Sequence, residues 1–474
     1  MTVNLDDYLD DMQALVRLHQ RDLHAVSHQD AEAFRLKLLC KRFSSLKERV
    51  GALRKLASLQ GISNIETLDD AVPVLFQHTV YKSYPPAFLE KGRFAALTQW
   101  LSQLTTHDLS KVDASKVQFI DDWFRLLERE TPVAPIHTTG TSGKLSILPR
   151  TIADTALLQQ TSNAKWQGFG LEADNVLDPK LLTAPVPIIH PGYRYGFYAS
   201  LRMLDLNVKA LSNEDMCECL YRDVMSADML SLAGRVATAE AKGQLDKLEI
   251  APALLQRFRD NKQRQHDKEA DSAALFDRVM ERFAGQRVLL GATSPLLYTW
   301  AKEGIKRGVK GLFASNSWIS SGGGGKGMVL PPEWKQQVEE VIGARVMMGY
   351  GMSELCSMAV GCEHGRYHIP PYLLPYLLDE KTGNPLPRKG TQTGRAAFID
   401  LLVDSYWCGL ITGDEITIHW DGGCACGRRS AYIGPQIQRY SDKTGGDDKI
   451  SCAGAPDAHD KAMDFLARMA AEQN

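Results

Sequence analysis

The sequence has no excess of charge of either sign: 55 basic residues stand against 57 acidic ones, for a formal net charge of −2. The electrostatic footprint of a nucleic-acid or anionic-membrane binder is therefore missing, and neither partner is expected. No apolar run approaches the ~18 residues needed to cross a bilayer. The start, Met1-Thr2-Val3-Asn4-Leu5-Asp6-Asp7, is acidic where a secretory signal needs a basic beginning and an apolar core. Repeats and low-complexity tracts are absent. Nine cysteines, an odd number spread over a long chain, do not read as a disulfide framework. What these absences leave is a soluble cytoplasmic protein whose size favours an enzyme.

What is present is a chain of 474 residues, 44% hydrophobic and 24% charged, able to bury a sizeable core. At roughly 150 residues per domain it holds about three structural units, or one large α/β domain with attachments. Residues 1–130 are expected to be helical: Ala31 to Leu59 places apolar residues at three- and four-residue spacings, Phe88 to Leu104 follows Pro85-Pro86, and Asp121 to Glu130 ends before Thr131-Pro132. From Pro135 the pattern changes. Short apolar runs at Ala184–Ile189, Arg287–Leu290, Val309–Ala314 and Ala344–Met348 alternate with helical stretches, which suggests a largely parallel sheet. Phe398–Val403 and Glu415–Trp420 read as further strands. Glu214 to Phe283 reads as one charged helical block, a solvated face without assigned function. Pro456 to Asn474 reads as an amphipathic helix.

The sharpest local signal is Thr138-Thr139-Gly140-Thr141-Ser142-Gly143-Lys144. Glycines allow a tight turn with exposed N–H groups, hydroxyls add donors and the lysine adds a point charge, which together make a phosphate cradle. It is not a Walker A loop, which needs Gly in place of Thr138 and Ser or Thr in place of Leu145. Downstream come Gly349-Tyr350-Gly351-Met352-Ser353-Glu354, then Thr412-Gly413-Asp414, then Arg439. Gly322-Gly323-Gly324-Gly325-Lys326 falls between them. It is either a mobile loop or backbone that approaches a ligand closely.

In that order the motifs resemble those of the adenylate-forming (ANL) superfamily over roughly residues 130 to 450. The resemblance implies an α/β fold: a large adenylate-forming body over 131–445 with mixed sheets and helices, preceded by a helical N-terminal region. It also implies an ATP- and Mg²⁺-dependent ligase that activates a fatty or aromatic carboxylic acid and passes the acyl group to a thiol. Thr138, Thr139, Gly140, Thr141, Ser142, Gly143 and Lys144 would hold the β- and γ-phosphates. Glu354 would bind Mg²⁺, and Ser353 and Gly351 would place the α-phosphate. Tyr350 would stack on adenine with Gly323 beside it, and Asp414 and Arg439 would hold the ribose. Joining two anions requires cations and N–H donors that absorb charge, which these residue types supply.

Cys362-Glu363-His364-Gly365-Arg366-Tyr367-His368 and Cys424-Ala425-Cys426-Gly427-Arg428 are similar to the phenylacetate-CoA ligase branch, as is Leu378 to Pro387. Thiolates with imidazole suit tetrahedral Zn²⁺. Cys362, His368, Cys424 and Cys426 are the expected ligands, with His364 or Cys408 as substitutes. The alternative is four reduced thiols without metal. Ile189 to Phe197 occupies the place where relatives line the acid site, so His190 would meet the carboxylate and Tyr193 and Tyr195 would flank the acyl group. The stretch after Asp414 is short for the usual mobile C-terminal domain, so 446–474 reads as a much reduced one. It resembles the acyl-protein synthetase of bacterial bioluminescence, which would make Cys452, beside Lys449, the acyl acceptor. Otherwise the thiol belongs to CoA, a carrier protein or a partner enzyme.

Overall fold

The computed structural model describes residues 3–138, 144–167, 182–241, 243–244, 268–322 and 329–440. The N-terminal helices form where caps and apolar spacing agree. His28–Arg49 starts behind Ser27, whose Oγ accepts the Asp30 N–H at 3.1 Å. It buries Phe34, Leu38, Leu39, Phe43 and Leu46 along one stripe. Gly51–Gln60 follows and stops at Gly61, whose φ of 69° suits a residue without a Cβ. Phe94–Ser102 and Ile120–Glu130 complete this region. It is helical as expected, but it is not packed as a separate unit. Its buried residues merge with Leu374, Phe398, Trp407 and Ile418 into one hydrophobic cluster.

Along the chain the strands are β1 (Phe76–Gln77), β2 (Ile136–His137), β3 (Ile147–Leu148), β4 (Ile188–Gly196), β5 (Cys217–Met225), β6 (Leu289–Thr293) and β7 (Trp318–Gly322). They continue with β8 (Val346–Tyr350), β9 (Ala359–Gly361), β10 (Tyr367–His368), β11 (Leu373–Leu378), β12 (Thr391–Asp400), β13 (Gly409–His419) and β14 (Tyr432–Arg439). One sheet of twelve strands runs in the order β11-β12-β13-β14-β10-β9-β8-β7-β6-β4-β5, with β1 added in parallel to β13. The half from β5 to β8 is parallel, and from the β8–β9 pair through β14 to β11 it is antiparallel. β2 and β3 form their own hairpin.

Alternation along the parallel strands separates two cores. Ile188, Leu289, Trp318 and Met347 face one side with Trp166, Leu201 and Leu204. Ile189, Leu290, Ile319 and Val346 face the other with Phe276, Trp300 and Val341. Side chains of period two on a sheet covered on both faces produce this pattern.

Two expected elements differ. Val309–Ala314 is a loop, pinned through Gly311, Leu312 and Phe313 N–H groups to the carbonyls of Glu340, Val341 and Ile342. Its apolar run is explained by burial of Leu312 and Phe313 rather than by strand pairing. The block from Glu214 is not all helix, because Cys217–Met225 is β5, parallel to β4. Charges on its outer positions masked the alternation of an edge strand, whose inner face buries Cys217 and Cys219. No helix among the described residues is long and apolar enough to cross a membrane.

Candidate functional site

The sheet changes from parallel to antiparallel between β8 and β9, and the carboxyl ends of β6, β7 and β8 open there. Crevices at such points are where open α/β sheets bind ligands. Tyr350 ends β8. Its hydroxyl donates to Asp414 Oδ2 at 3.0 Å, and Arg439 Nε stands 3.4 Å from Asp414 Oδ1. Asp414 and Arg439 are register partners on β13 and β14, so the ladder itself sets this pair. The Asp414 N–H bonds Thr412 Oγ1 at 3.1 Å, which orients the carboxylate's own turn. Burial, followed by the nearby Asp414 charge, holds the Tyr350 phenol well above its usual range. It stays a neutral donor.

Thr138 and Lys144 flank the connection between β2 and β3. The Thr138 N–H donates to the Ser146 carbonyl at 3.1 Å, closing the hairpin. Thr139, Gly140, Thr141, Ser142 and Gly143 lie outside the described residues. Lys144 Nζ sits 4.7 Å from the ring centre of Tyr84, and burial, helped by the charge of Lys82, pulls it down to about 8. The Glu354 side chain is half-buried, and that desolvation holds its carboxyl above the usual carboxylate range against the charges of Arg150, Arg439 and Lys82. The charge of Lys82 is felt at both Lys144 and Glu354.

The turn that carries Glu354 is held from two sides. Arg150, fully buried just after β3, donates Nη2 to the Ser353 carbonyl at 2.7 Å and also to the Leu355 carbonyl. Asp400 at the end of β12 accepts the Cys356 and Ser357 N–H groups at 2.6 Å each and Ser357 Oγ at 2.7 Å. Cys408 donates its thiol to the Glu354 carbonyl at 2.8 Å, so it belongs to this turn and not to a metal set. Gly351 sits beside Met358, at 3.6 Å from where a Cβ would project.

His190 is buried on β4, with Nδ1 2.9 Å from the Gly291 carbonyl. That carbonyl can only accept, so Nδ1 carries the proton and Nε2 is a lone pair. Burial lowers the imidazole pKa further. In this state the buried imidazole is neutral and offers an acceptor on Nε2. A side chain at Gly192 would come within 2.8 Å of that nitrogen. Tyr193 packs against Tyr221 of β5 with the rings tilted and their centres 5.0 Å apart. Tyr195 is turned to the surface, 3.3 Å from Glu214 and over Arg194, away from the β6–β8 crevice. Pro191, which lacks an N–H, interrupts the β4–β5 register and redirects these rings.

The sulfur atoms of Cys362, Cys424 and Cys426 and a ring nitrogen of His368 lie within 4.8 Å of one another. Cys362 follows β9, His368 is on β10, and the other two sit in the β13–β14 connection, where Gly422, Gly423 and Gly427 take positive φ. Cys362 and Cys424 sulfurs are 3.8 Å apart, and Cys426 Sγ is 3.2 Å from His368 Nε2. A tetrahedron with metal–sulfur bonds of about 2.3 Å has sulfur–sulfur edges of about 3.8 Å, so the donor set fits zinc. His364 stands apart beside Glu363.

Behind His368 runs a directional relay. Gln20 Oε1 accepts from His24 Nε2 (3.2 Å), leaving His24 Nδ1 to accept the Ser430 hydroxyl (2.8 Å). Ser430 Oγ then accepts from His368 Nδ1 at 3.3 Å, which leaves His368 Nε2 as a lone pair facing the thiols. Burial keeps both imidazoles neutral, pulling His368 down to about 3. Arg428 Nη1 lies 3.6 Å from Cys426 Sγ.

Gly323 and Cys452, with Lys449 and the rest of 441–474, lie outside the described residues. Sequence reasoning passed over Lys82, Arg150, His24 and Ser430. No local motif marks the first three, and Ser430 lies just past the cysteine pair without a spacing rule to single it out.

No family model matches the sequence, and no curated protein matches it. Among solved structures the chain is similar to 2-hydroxyisobutyryl-CoA ligase. With the open conformation bound to 2-HIB-AMP and CoA, the TM-score is 0.50 at 13% identity over 89% of this chain and 72% of that one. With its postadenylation state the TM-score is 0.50 at 12% identity, over 88% and 69% of the two chains. At such identities the likeness is one of fold.

Proposed function

We infer that this chain, which has the fold of the adenylate-forming enzymes, activates a carboxylic acid with ATP and passes the acyl group to a thiol. The observation that carries this reading is the Tyr350–Asp414–Arg439 group at the carboxyl end of β8, with Glu354 in the turn that follows. Asp414 accepts from ribose hydroxyls, Arg439 fixes its carboxylate, and Tyr350 presents a neutral ring to adenine. Thr138 to Lys144, with Lys82 alongside, hold the β- and γ-phosphates. A carboxylate oxygen of the acid attacks the α-phosphorus, the bond to the bridging oxygen breaks, and pyrophosphate leaves with the electron pair. Arg150 positions the turn on either side of Glu354 through the Ser353 and Leu355 carbonyls. Glu354 would hold Mg²⁺, which supplies neutralisation of the triphosphate charge.

In the second step a thiolate attacks the acyl carbon and AMP leaves. The thiol belongs to CoA, a carrier protein, a partner enzyme or Cys452. The apolar face under the crevice, with Trp318, Trp166 and Tyr193, suits a fatty or aromatic carbon skeleton. Cys362, His368, Cys424 and Cys426 would hold a structural Zn²⁺ that staples the β9–β10 turn to the β13–β14 connection.

The test is acid-dependent exchange of labelled pyrophosphate into ATP, with hydroxylamine trapping of the acyl product across a panel of acids. Exchange and a trapped hydroxamate are expected for at least one acid. ATP hydrolysis to ADP, or nucleotide binding with no exchange for any acid, would overturn the reading.

A further inference from the structure

Lys165 follows the helix Ile152–Asn163 and is 3% exposed. Its ammonium donates to Ser162 Oγ at 3.2 Å and to Ser320 Oγ at 2.5 Å, and no carboxylate pairs with it among the described residues. Burial alone pulls it down to about 8. Two hydroxyls are weak compensation for a buried cation, and such groups persist where a ligand supplies the missing charge.

Ser320 is in register with Gly291 of β6 and Met347 of β8, on the face whose floor is Leu289 and Trp318. A Cβ at Gly291 would meet nothing within 4 Å. His190 lies across the same row, bonded to the Gly291 carbonyl. The row therefore holds an apolar floor, a neutral imidazole and one unpaired ammonium. It also lies below the mouth: Ser320 is two residues, about 6.5 Å, before Gly322, where β7 meets the Tyr350 end of β8. The carboxylate that reacts must reach the cations at the mouth, so Lys165 is placed for the other end of the acid.

We propose that the row at Gly291 and Ser320 receives an acid with a second carboxylate, which pairs with the Lys165 ammonium while the first carboxylate is activated. The fate of the first carboxylate rests on the adenylate-forming reading; the pairing with Lys165 does not. Lys165 is then a specificity-determining residue, and plain monocarboxylic acids leave its charge buried and unmatched.

The experiment compares matched acids, pentanoate with glutarate, octanoate with suberate and benzoate with isophthalate, on wild type and Lys165→Met. Pyrophosphate exchange reports activation. Carbon-13 reductive methylation, with the Lys165 signal identified by its loss in K165M, reports pairing without ATP. A diacid is expected to exceed its matched monoacid by about a hundredfold in kcat/KM, and K165M to erase that advantage. The Lys165 amine should titrate near 8 alone and higher with the preferred diacid only. If a diacid raises that titration while no acid supports exchange, the pairing stands and the adenylation reading falls. If monoacids bind and react as well as diacids, or K165M leaves the preference intact, the proposal is overturned. Lys165→Met replaces an unpaired buried charge by an apolar side chain, so unfolding is not the expected outcome, and a melting curve checks it.

Discussion

The Tyr350–Asp414–Arg439 group and the thiol–imidazole cluster share β13 and β14, yet they are built by opposite means. Asp414 and Arg439 face each other as register partners within the ladder, so the backbone pairing of two strands sets their geometry. Cys424 and Cys426 sit in the connection between those same strands, and their partners Cys362 and His368 come from a separate turn. A ladder holds its side chains whatever is bound. A loop needs a crosslink, and here the fourth donor is itself oriented by His24 and Ser430 from opposite ends of the chain.

That contrast ranks the expected effects. Asp414→Ala should lower acid-dependent pyrophosphate exchange by about a thousandfold, since two hydrogen bonds to a charged acceptor are lost. Its melting temperature should stay near wild type, because the β13–β14 ladder survives. A large drop in melting temperature would break the distinction. Cys424→Ser should do the reverse, losing bound zinc by metal analysis and lowering the melting temperature by several degrees, with nucleotide affinity nearly kept. Full stability in C424S, or no zinc in purified wild type, would remove the staple.

Ser430→Ala cuts the relay without touching a ligand, and zinc affinity should fall about tenfold to a hundredfold in a chelator competition. An unchanged affinity would mean that the relay does not orient His368. The smallest effect concerns Lys144. Its amine, pulled down to about 8, is charged below that pH and neutral above it. ATP affinity, measured without acid, should therefore be greatest below pH 8 and fall less than about tenfold as pH rises through it. Lys144→Met should flatten the profile at the lower level.

The residues proposed for the nucleotide could be named from sequence because they fall in short, ordered runs: Thr138 to Lys144, Gly349 to Glu354, and Thr412 to Asp414. Each run combines a backbone need for glycine with a charge or donor, and both are local properties. The four clustered cysteine and histidine residues could be named from residue type, but their closeness to one another could not. Lys82 and Arg150 were not legible at all, since a lone basic residue in a helical or extended stretch reads as surface. Their role depends on charge felt through space and on burial, as the positions of Glu354 and of the Ser353 carbonyl show.

By itself, then, the sequence determined most of the succession of elements, the apolar alternation that covers both faces of the parallel strands, and the local chemistry of the glycine- and hydroxyl-rich motifs. These follow from periodicity and turn chemistry within a few residues. Only the tertiary structure decided that the N-terminal helices share a core with β11 to β14, that His190 is a neutral acceptor, and that Lys165 is a buried cation. Packing, desolvation and Coulomb interaction act between residues far apart in the chain, and no window of sequence contains them.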